Sequence, residues 1–270
     1  MIGKPILSCF IMIIVLLCYL CYLLHSVSIT DINTINTLNA IILSRVSVHP
    51  DALKYLSNAK IIFIDDMGGA IKWSKYGWGN ISKDDRTVFN GDSSLKLETS
   101  SDLWAIIEAL RLFSPPKRKK VGFCFWWTVF SDNFGYIEFG IEYRNANKNY
   151  RKAGEVFIYE FHRPFYKAEN GSMVEFKPIS GFPQRYDTSQ KGGDISWHFT
   201  MIIIDFEKDE YVTLIIDDVE VNMKGIKIYD RSTKEGMAQS NMMEVFVILS
   251  NGTHNRTATA FIDDVVVFSL

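Results

Sequence analysis

Apolar and polar residues alternate in short runs along most of this chain. From Tyr136 to Arg144 every second residue is apolar, and Glu138, Glu142 and Arg144 lie between them. Successive side chains of a β-strand point to opposite faces, so this pattern predicts a strand with one face in a core. About ten such runs follow from Ala59 onward, joined by polar turns, with no sign of alternating strands and helices. The pattern predicts an all-β domain over residues 59–270, an antiparallel jelly-roll β-sandwich.

The first residues follow a different pattern. Ile6 to Leu24 contains no charged residue, and Lys4 precedes it. An uncharged run of this length is typical of a transmembrane anchor, and Ser26 to Ser28 also offers a cleavage site for a signal peptidase. We therefore interpret residues 1–28 as an anchor or a signal peptide. In both cases the rest of the chain faces the outside of the cell, membrane-anchored or secreted.

Residues 29–58 are expected to form a helical stalk or linker. Apolar residues recur there at spacings of three and four, which is typical of an amphipathic helix: Ile32, Ile35, Leu38, Ile42 and Val46. We expect this helix to end near His49 and Pro50. It can act as a stalk, as a seam between copies of the chain, or as a cover on the sandwich.

Four Asn-x-Ser/Thr sequons agree with an extracytoplasmic location. They begin at Asn80, Asn170, Asn251 and Asn255. We predict these asparagines as glycosylation sites.

Composition narrows the function classes. The chain is 47% apolar and 14% aromatic, enough for a large core, and its net charge of −2 argues against nucleic acid as a partner. Cys124 is the one cysteine after residue 28, so the body has no intrachain disulfide. Between Phe123 and Phe125 it is expected to pack as a small apolar residue.

Paired aspartates stand inside apolar runs at both ends of the predicted sandwich. Asp65 and Asp66 follow Ile64, and Asp263 and Asp264 precede Val265. A carboxylate among apolar side chains is costly unless it is hydrogen-bonded, paired or bound to a cation. These aspartates are therefore expected to hold the fold together.

Three segments carry a family resemblance. Phe63-Ile-Asp-Asp-Met-Gly-Gly is followed by Trp73, then by Val88-Phe-Asn-Gly-Asp-Ser-Ser-Leu-Lys-Leu97, and the chain closes on Phe261-Ile-Asp-Asp-Val. This order resembles jelly-roll carbohydrate-binding modules and concanavalin-like, laminin-G-like lectin domains. The resemblance implies a calcium ion between the first and last strands, with Asp65, Asp66 and Asp263 as ligands. Alternatively, these aspartates accept hydrogen bonds from the backbone.

One set of aromatic, acidic and basic residues is suited to sugars, which stack on aromatic faces and bind polar groups through their hydroxyls. We expect these side chains to line one concave sheet: Trp126, Trp127, Tyr136, Glu138, Glu142, Arg144, Tyr159, His162 and Arg163. Because Trp126 and Trp127 are adjacent, only one can face the core. The outward one needs a ligand or a cover, and we expect Trp127 to bind the ligand.

No catalytic residues are assigned from the sequence. Glu138 and Glu142 lie on one strand face about 13 Å apart, too far for a glycosidase pair. Zinc-ligand spacings and the Gly-x-Ser-x-Gly motif are absent. We therefore expect a carbohydrate-binding surface protein without enzymatic activity. The alternatives are a structural surface or appendage protein that forms homo-oligomers and, less favoured, a polysaccharide hydrolase or lyase.

Overall fold

The computed structural model describes residues 44–130, 134–159, 164–176, 196–233 and 240–270. The predicted anchor and most of the predicted stalk lie outside these residues. Among the described residues, no helix is long and apolar enough to span a membrane.

The described chain is almost entirely extended. It contains one α-helix, α1 (Pro50–Leu56), and two short 3-10 helices, Ala146–Lys148 and Arg231–Thr233. The strands are β1 (Lys60–Asp65), β2 (Ser74–Gly77), β3 (Gly79–Asp84), β4 (Ser94–Thr99), β5 (Ile106–Phe113), β6 (Lys120–Phe130), β7 (Tyr136–Asn145), β8 (Tyr150–Tyr159), β9 (Pro164–Lys167), β10 (Met173–Glu175), β11 (His198–Asp205), β12 (Glu210–Ile216), β13 (Val219–Asn222), β14 (Tyr229–Asp230), β15 (Met242–Ser250) and β16 (Thr259–Ser269).

These strands form two antiparallel sheets. Sheet A has the order β13-β12-β11-β6-β16-β4-β3, and β1 also pairs with β16. Sheet B has the order β10-β9-β8-β7-β15-β5-β2, and β14 pairs with β8. The predicted all-β antiparallel sandwich is therefore confirmed.

The core lies between the two sheets and follows the alternation of the sequence. From β6 it takes Phe123, Phe125 and Trp127, and from β7 it takes Ile137 and Phe139, all fully buried. Burial of apolar area at about 25 cal/mol per Å² is the main force that holds two such sheets together.

Helix α1 begins where we expected a helix to end. Pro50 occupies its first turn, where a missing N–H costs nothing, and the His49 side chain accepts a hydrogen bond from the Asp51 N–H. Most of the predicted amphipathic helix lies outside the described residues, so its end near His49 and Pro50 stays a prediction. Arg45–Leu270 is one compact unit, so residues 45–58, which we assigned to the stalk, lie in the same unit as the sandwich.

Residues 45–59 lie against the outer face of sheet A. The Ser47 N–H donates to Asp264 Oδ2 at 2.6 Å, and Trp126 Nε1 donates to the Ser47 carbonyl at 2.8 Å. His49 stacks on Phe199 with 5.3 Å between ring centroids. This segment, which we call the cover segment, closes the outer face of sheet A around Trp126 and Phe199.

Candidate functional site

The outer face of sheet B carries buried glutamates. On β7, alternation directs Ile137, Phe139 and Ile141 into the core, so Glu138 and Glu142 point outward. β7 itself, the neighbouring strands and the second 3-10 helix add further carboxylates and cations to this surface, which we call the Glu138 face: Glu108, Glu155, Glu244, Arg144, Arg151, Lys167 and Arg231.

Strand register places two of these carboxylates in one row. Glu138 pairs with Ile248 of β15, and Ile248 pairs with Glu108 of β5. Directly paired residues share a face, so Glu108 and Glu138 flank Ile248. Two strand spacings put their backbones about 10 Å apart.

Glu138 has a carboxyl group with no hydrogen-bond or ion-pair partner among the described residues. Its side chain lies beside Phe157, its cross-strand neighbour, and the residue is only 6% exposed. Burial, and then the charge of Glu155, raise the pKa of Glu138 well above its ordinary value. Burial therefore favours the protonated form of the Glu138 carboxyl.

Glu108 is half-buried. Burial, and then the charge of Glu244, raise its pKa to about 7. A group with this pKa exchanges a proton readily at neutral pH, as a general base must. The row therefore combines a carboxyl whose protonated form is favoured by burial with one that ionises near pH 7.

Glu142 lies deeper on the same face, in an ionic network. Its Oε1 accepts from Arg151 Nε at 2.7 Å and also from Arg144, and its Oε2 accepts from Arg231 at 2.8 Å. Although Glu142 is fully buried, these donors lower its pKa. Glu142 is thus held as a carboxylate and is not available for proton transfer.

The same network includes two more glutamates. Arg231 Nε donates to Glu155 Oε1 at 2.7 Å, and Lys167 Nζ lies 2.9 Å from Glu155 Oε2. Arg144 also reaches Glu244 at 3.0 Å. Each of the four cations on the described part of the face therefore has a glutamate partner.

Aromatic rings border the Glu138 end of the face. Tyr136 and Tyr159 are half-buried, and their ring centroids lie 5.7 Å apart. Burial, and then the charge of Glu138, raise the pKa of Tyr136 to about 12, so its hydroxyl stays protonated. Flat apolar rings beside hydroxyl and carboxyl groups suit the two faces of a sugar ring.

The predicted ligand-binding set is only partly brought together. Tyr136, Glu138, Glu142, Arg144 and Tyr159 share the Glu138 face, as their positions on β7 and β8 require. His162 and Arg163 lie outside the described residues.

The prediction is wrong for both tryptophans, which belong to sheet A. Trp127 is fully buried in the core, and its Nε1 donates to Thr200 Oγ1 at 2.9 Å. Trp126 faces outward but is covered, since Phe89 stacks on it at 3.9 Å and the cover segment binds its Nε1. The signal was present in the sequence: Val121, Phe123, Phe125 and Trp127 form one large apolar face, and Gly122 and Cys124 lie on the other face with Trp126.

The predicted calcium ligands all accept hydrogen bonds from protein groups. Asp65 binds Lys72 Nζ at 2.9 Å and Trp73 Nε1 at 3.1 Å, and Asp66 Oδ1 accepts the Gly68 N–H. In the described part of the chain, no three His, Cys, Asp or Glu side chains form a group able to hold a metal ion.

Asp263 behaves in the same way on β16, the strand that pairs with β1. Its Oδ2 accepts the N–H groups of Phe89 and Asn90 at 3.0 and 3.2 Å. A β-bulge follows, with Asp264 at φ 49°, and it allows both neighbouring aspartates to be buried. These contacts match the alternative of backbone bonding, and the calcium site stays a prediction.

The sequons differ in exposure. Asn170 is exposed, and Asn80 and Asn255 are also at the surface. Asn251 is fully buried, and its Nδ2 donates to the carbonyls of Ser100, Asp102 and Arg256. The glycosylation prediction does not fit Asn251, because this nitrogen is already used inside the fold.

Sequence reasoning missed several residues of the Glu138 face. Glu108 was missed because Leu103 to Phe113 fitted a helix and a strand equally well. Glu155, Glu244, Lys167 and Arg231 were missed because their proximity depends on strand register, which the sequence does not display. Two alternating runs that each carry an outward glutamate, as in β7 and β8, were the available signal.

Comparisons with known proteins support the fold. No protein-family model matches the chain, and no curated protein matches it. Among solved structures, it is similar to an endo-β-1,4-glucuronan lyase from the fungus Trichoderma reesei, at 14% identity and a TM-score of 0.51. That match covers 78% of this chain and 96% of the other.

Other similar structures have lower TM-scores. A lectin from Bauhinia forficata in complex with GalNAc matches at 12% identity and a TM-score of 0.44, covering 76% of this chain and 97% of that one. A Bacillus licheniformis β-glucanase matches at 11% identity and 0.42, covering 77% and 97%.

These findings contradict the expectation of a protein without enzymatic activity. That expectation was based on a resemblance to lectin and carbohydrate-binding folds, but the same fold occurs in a polysaccharide lyase. The resemblance itself is confirmed. The chain therefore has the fold of the concanavalin-like jelly-roll proteins, which bind carbohydrates or act on polysaccharides.

Proposed function

We propose that this protein binds a polysaccharide on the Glu138 face and hydrolyses it, with Glu138 as the proton donor. The observation that carries the proposal is the state of Glu138. It is a buried carboxyl without a partner among the described residues, and its pKa is raised well above the ordinary value. A glycosidase requires such a protonated carboxyl beside the leaving oxygen.

Glu108 is the second carboxyl in this proposal. A backbone separation of about 10 Å across two strand spacings allows carboxyl groups to lie in the roughly 6.5–9.5 Å range of inverting glycosidases. Ionised Glu108 takes a proton from water, and the water oxygen bonds to the anomeric carbon. The glycosidic C–O bond breaks, and Glu138 gives its proton to the departing oxygen.

The charge of the face favours a neutral polysaccharide. Five glutamates lie on its described part, and the four cations there are all engaged by glutamates. A uronate carboxylate would find each of these cations already paired with a glutamate. A chain of uncharged sugars needs no such partner.

The proposal includes a location for the protein outside the cytoplasm. An uncharged run from Ile6 to Leu24 and surface sequons at Asn80, Asn170 and Asn255 support a protein that is anchored to a membrane or secreted. Its substrate is then a glycan outside the cell.

The experiment uses soluble mixed-linkage β-glucan, xylan and glucomannan, with polyglucuronan as the charged comparison. Release of reducing ends is measured for wild type, Glu138→Gln and the control Glu98→Gln on sheet A. We expect Glu138→Gln to lose about 10²-fold or more in kcat, the usual contribution of a proton donor, while polymer binding is kept. Glu98→Gln should match wild type.

Two results would contradict the proposal. One is a Glu138→Gln protein that still cleaves as fast as wild type. The other is unsaturated uronate product from polyglucuronan alone, which would indicate a lyase.

A further inference from the structure

We infer that Tyr76, Trp78 and Trp104 form a stacking platform for sugar rings, which extends the Glu138 face over the edge of sheet B. This inference is based on the proposed function. It is drawn from three aromatic side chains that the fold leaves exposed: Tyr76 at 66%, Trp78 at 65% and Trp104 at 62%.

Tyr76 continues the row that contains the two carboxyls. It pairs with Glu108, so the row runs Tyr76, Glu108, Ile248, Glu138. β2 is the edge strand of sheet B, and three strand spacings put Tyr76 about 14 Å from Glu138. A polysaccharide lying along this row reaches the edge several sugar units away from the bond to be cleaved.

Trp78 lies where the chain leaves this edge. Its N–H donates to the Ile106 carbonyl at 2.7 Å, at the start of β5. Its own carbonyl accepts the Ser100 N–H at 2.9 Å. These two bonds fix the backbone of Trp78 between β5 and the loop that carries Trp104.

Trp104 is held in a strained conformation. Its φ is 61°, in the left-handed region that bulky residues rarely adopt. The loop is secured from the other side: the Trp104 N–H donates to the Gly252 carbonyl at 2.8 Å, and Asn251 Nδ2 donates to the Asp102 carbonyl at 2.7 Å. Residues held in such strained conformations cluster at functional sites, so an exposed indole here is a candidate ligand contact.

A polysaccharide fits this platform better than a membrane does. Tyr76 continues a row that contains Glu108 and Glu138 and no cation, whereas attraction to anionic lipids requires clustered Lys or Arg. Sugar rings present apolar faces to aromatic rings and hydroxyls to the carboxyls of the same row. The platform should therefore matter for long chains and not for short ones.

The experiment measures polymer binding and cleavage with Trp78→Ala, Trp104→Ala and Trp104→Gly. Leu53→Ala is the control, since Leu53 is an exposed apolar residue on α1, away from sheet B. The ligand is whichever of mixed-linkage β-glucan, xylan and glucomannan the wild type binds most tightly. We expect each tryptophan variant to bind it about tenfold more weakly, the effect of losing one stacked aromatic face. kcat on its shortest cleavable oligosaccharide should not change.

The Trp104→Gly variant shows whether Trp104 contributes to ligand binding or only to the stability of the fold. Glycine adopts φ 61° without strain, so the melting temperature should stay level or rise while polymer affinity falls. Unchanged polymer binding in all three variants would overturn the inference. So would loss of binding to phosphatidylserine vesicles with polymer binding intact.

A failure of the proposed hydrolysis can be distinguished from a failure of the platform. Binding can be repeated in the Glu138→Gln background, where the platform is tested without any cleavage. A Glu138→Gln protein that still cleaves counts against the proton donor, whereas full polymer affinity without Trp78 and Trp104 counts against the platform.

Discussion

Trp126 and Trp127 are chemically identical neighbours with opposite environments. Trp127 fills the core and satisfies its N–H with Thr200, while Trp126 is enclosed by Phe89 and the cover segment. Alternation in a strand requires the two rings to point apart. Which of them faces the core is decided by the residues that share its side of β6.

Trp127→Ala should lower the free energy of unfolding by about 3–5 kcal/mol, the range for removing a large buried aromatic side chain. Urea denaturation followed by far-ultraviolet circular dichroism measures this change. Tyr76→Ala is the control, since this exposed ring packs little in the fold and should cost under about 1 kcal/mol. Equal effects of the two substitutions would contradict the burial of Trp127.

Glu108 should make stability depend on pH. Its pKa is about 7 in the folded protein, above its ordinary value of 4.5, so the folded state holds the proton more tightly than the unfolded chain. The stabilisation is complete below about 4.5 and is lost as the pH rises through about 7. The urea midpoint of wild type should therefore fall over this range more than that of Glu108→Gln. Parallel curves for the two proteins would exclude a raised pKa.

At the level of single elements, the sequence predicted β7 well and β5 poorly. The run from Tyr136 to Arg144 alternates without interruption, and the strand covers Tyr136–Asn145. The run from Leu103 to Phe113 holds adjacent apolar pairs such as Ile106 and Ile107, which fit both periodicities. Its assignment as β5 is determined by pairing with β15 and β2, contacts that are distant in sequence.

The candidate site was harder to predict than the strands for the same reason. Glu138 could be placed on an outward face from the sequence alone. Its partner Glu108 could not, because the order β5-β15-β7 joins strands that are far apart in the chain. The ionic network around Glu142 likewise depends on Arg231, which comes from a 3-10 helix 89 residues away.

The 3-10 helix Arg231–Thr233 should contribute strongly to stability through one side chain. Arg231 bonds to both Glu142 and Glu155, which are fully buried. Arg231→Gln removes a positive charge that both buried carboxylates need. We therefore expect a loss of about 3–5 kcal/mol in the free energy of unfolding. Chemical denaturation at neutral pH tests this, with the exposed Lys224→Gln as the control. A loss below about 1 kcal/mol would mean that the network does not need this arginine.

At the scale of the whole molecule, the two outer faces of the sandwich have different roles. The cover segment and Phe89 close the outer face of sheet A, whereas sheet B presents carboxyls, tyrosines and exposed edge aromatics. The fold class could be predicted from alternation and turns, but this asymmetry could not. It arises because residues 45–59 return to one sheet only, through long-range contacts such as that of Ser47 with Asp264.

The closed face of sheet A also contains Cys124, two residues from Trp126 and fully buried. Burial raises the pKa of its thiol, so the folded protein presents almost no reactive thiolate there. Alkylation of this side chain, followed by peptide mass spectrometry, therefore measures how often the outer face of sheet A opens to solvent at Cys124. Its rate compares that local motion with global unfolding without any engineered label.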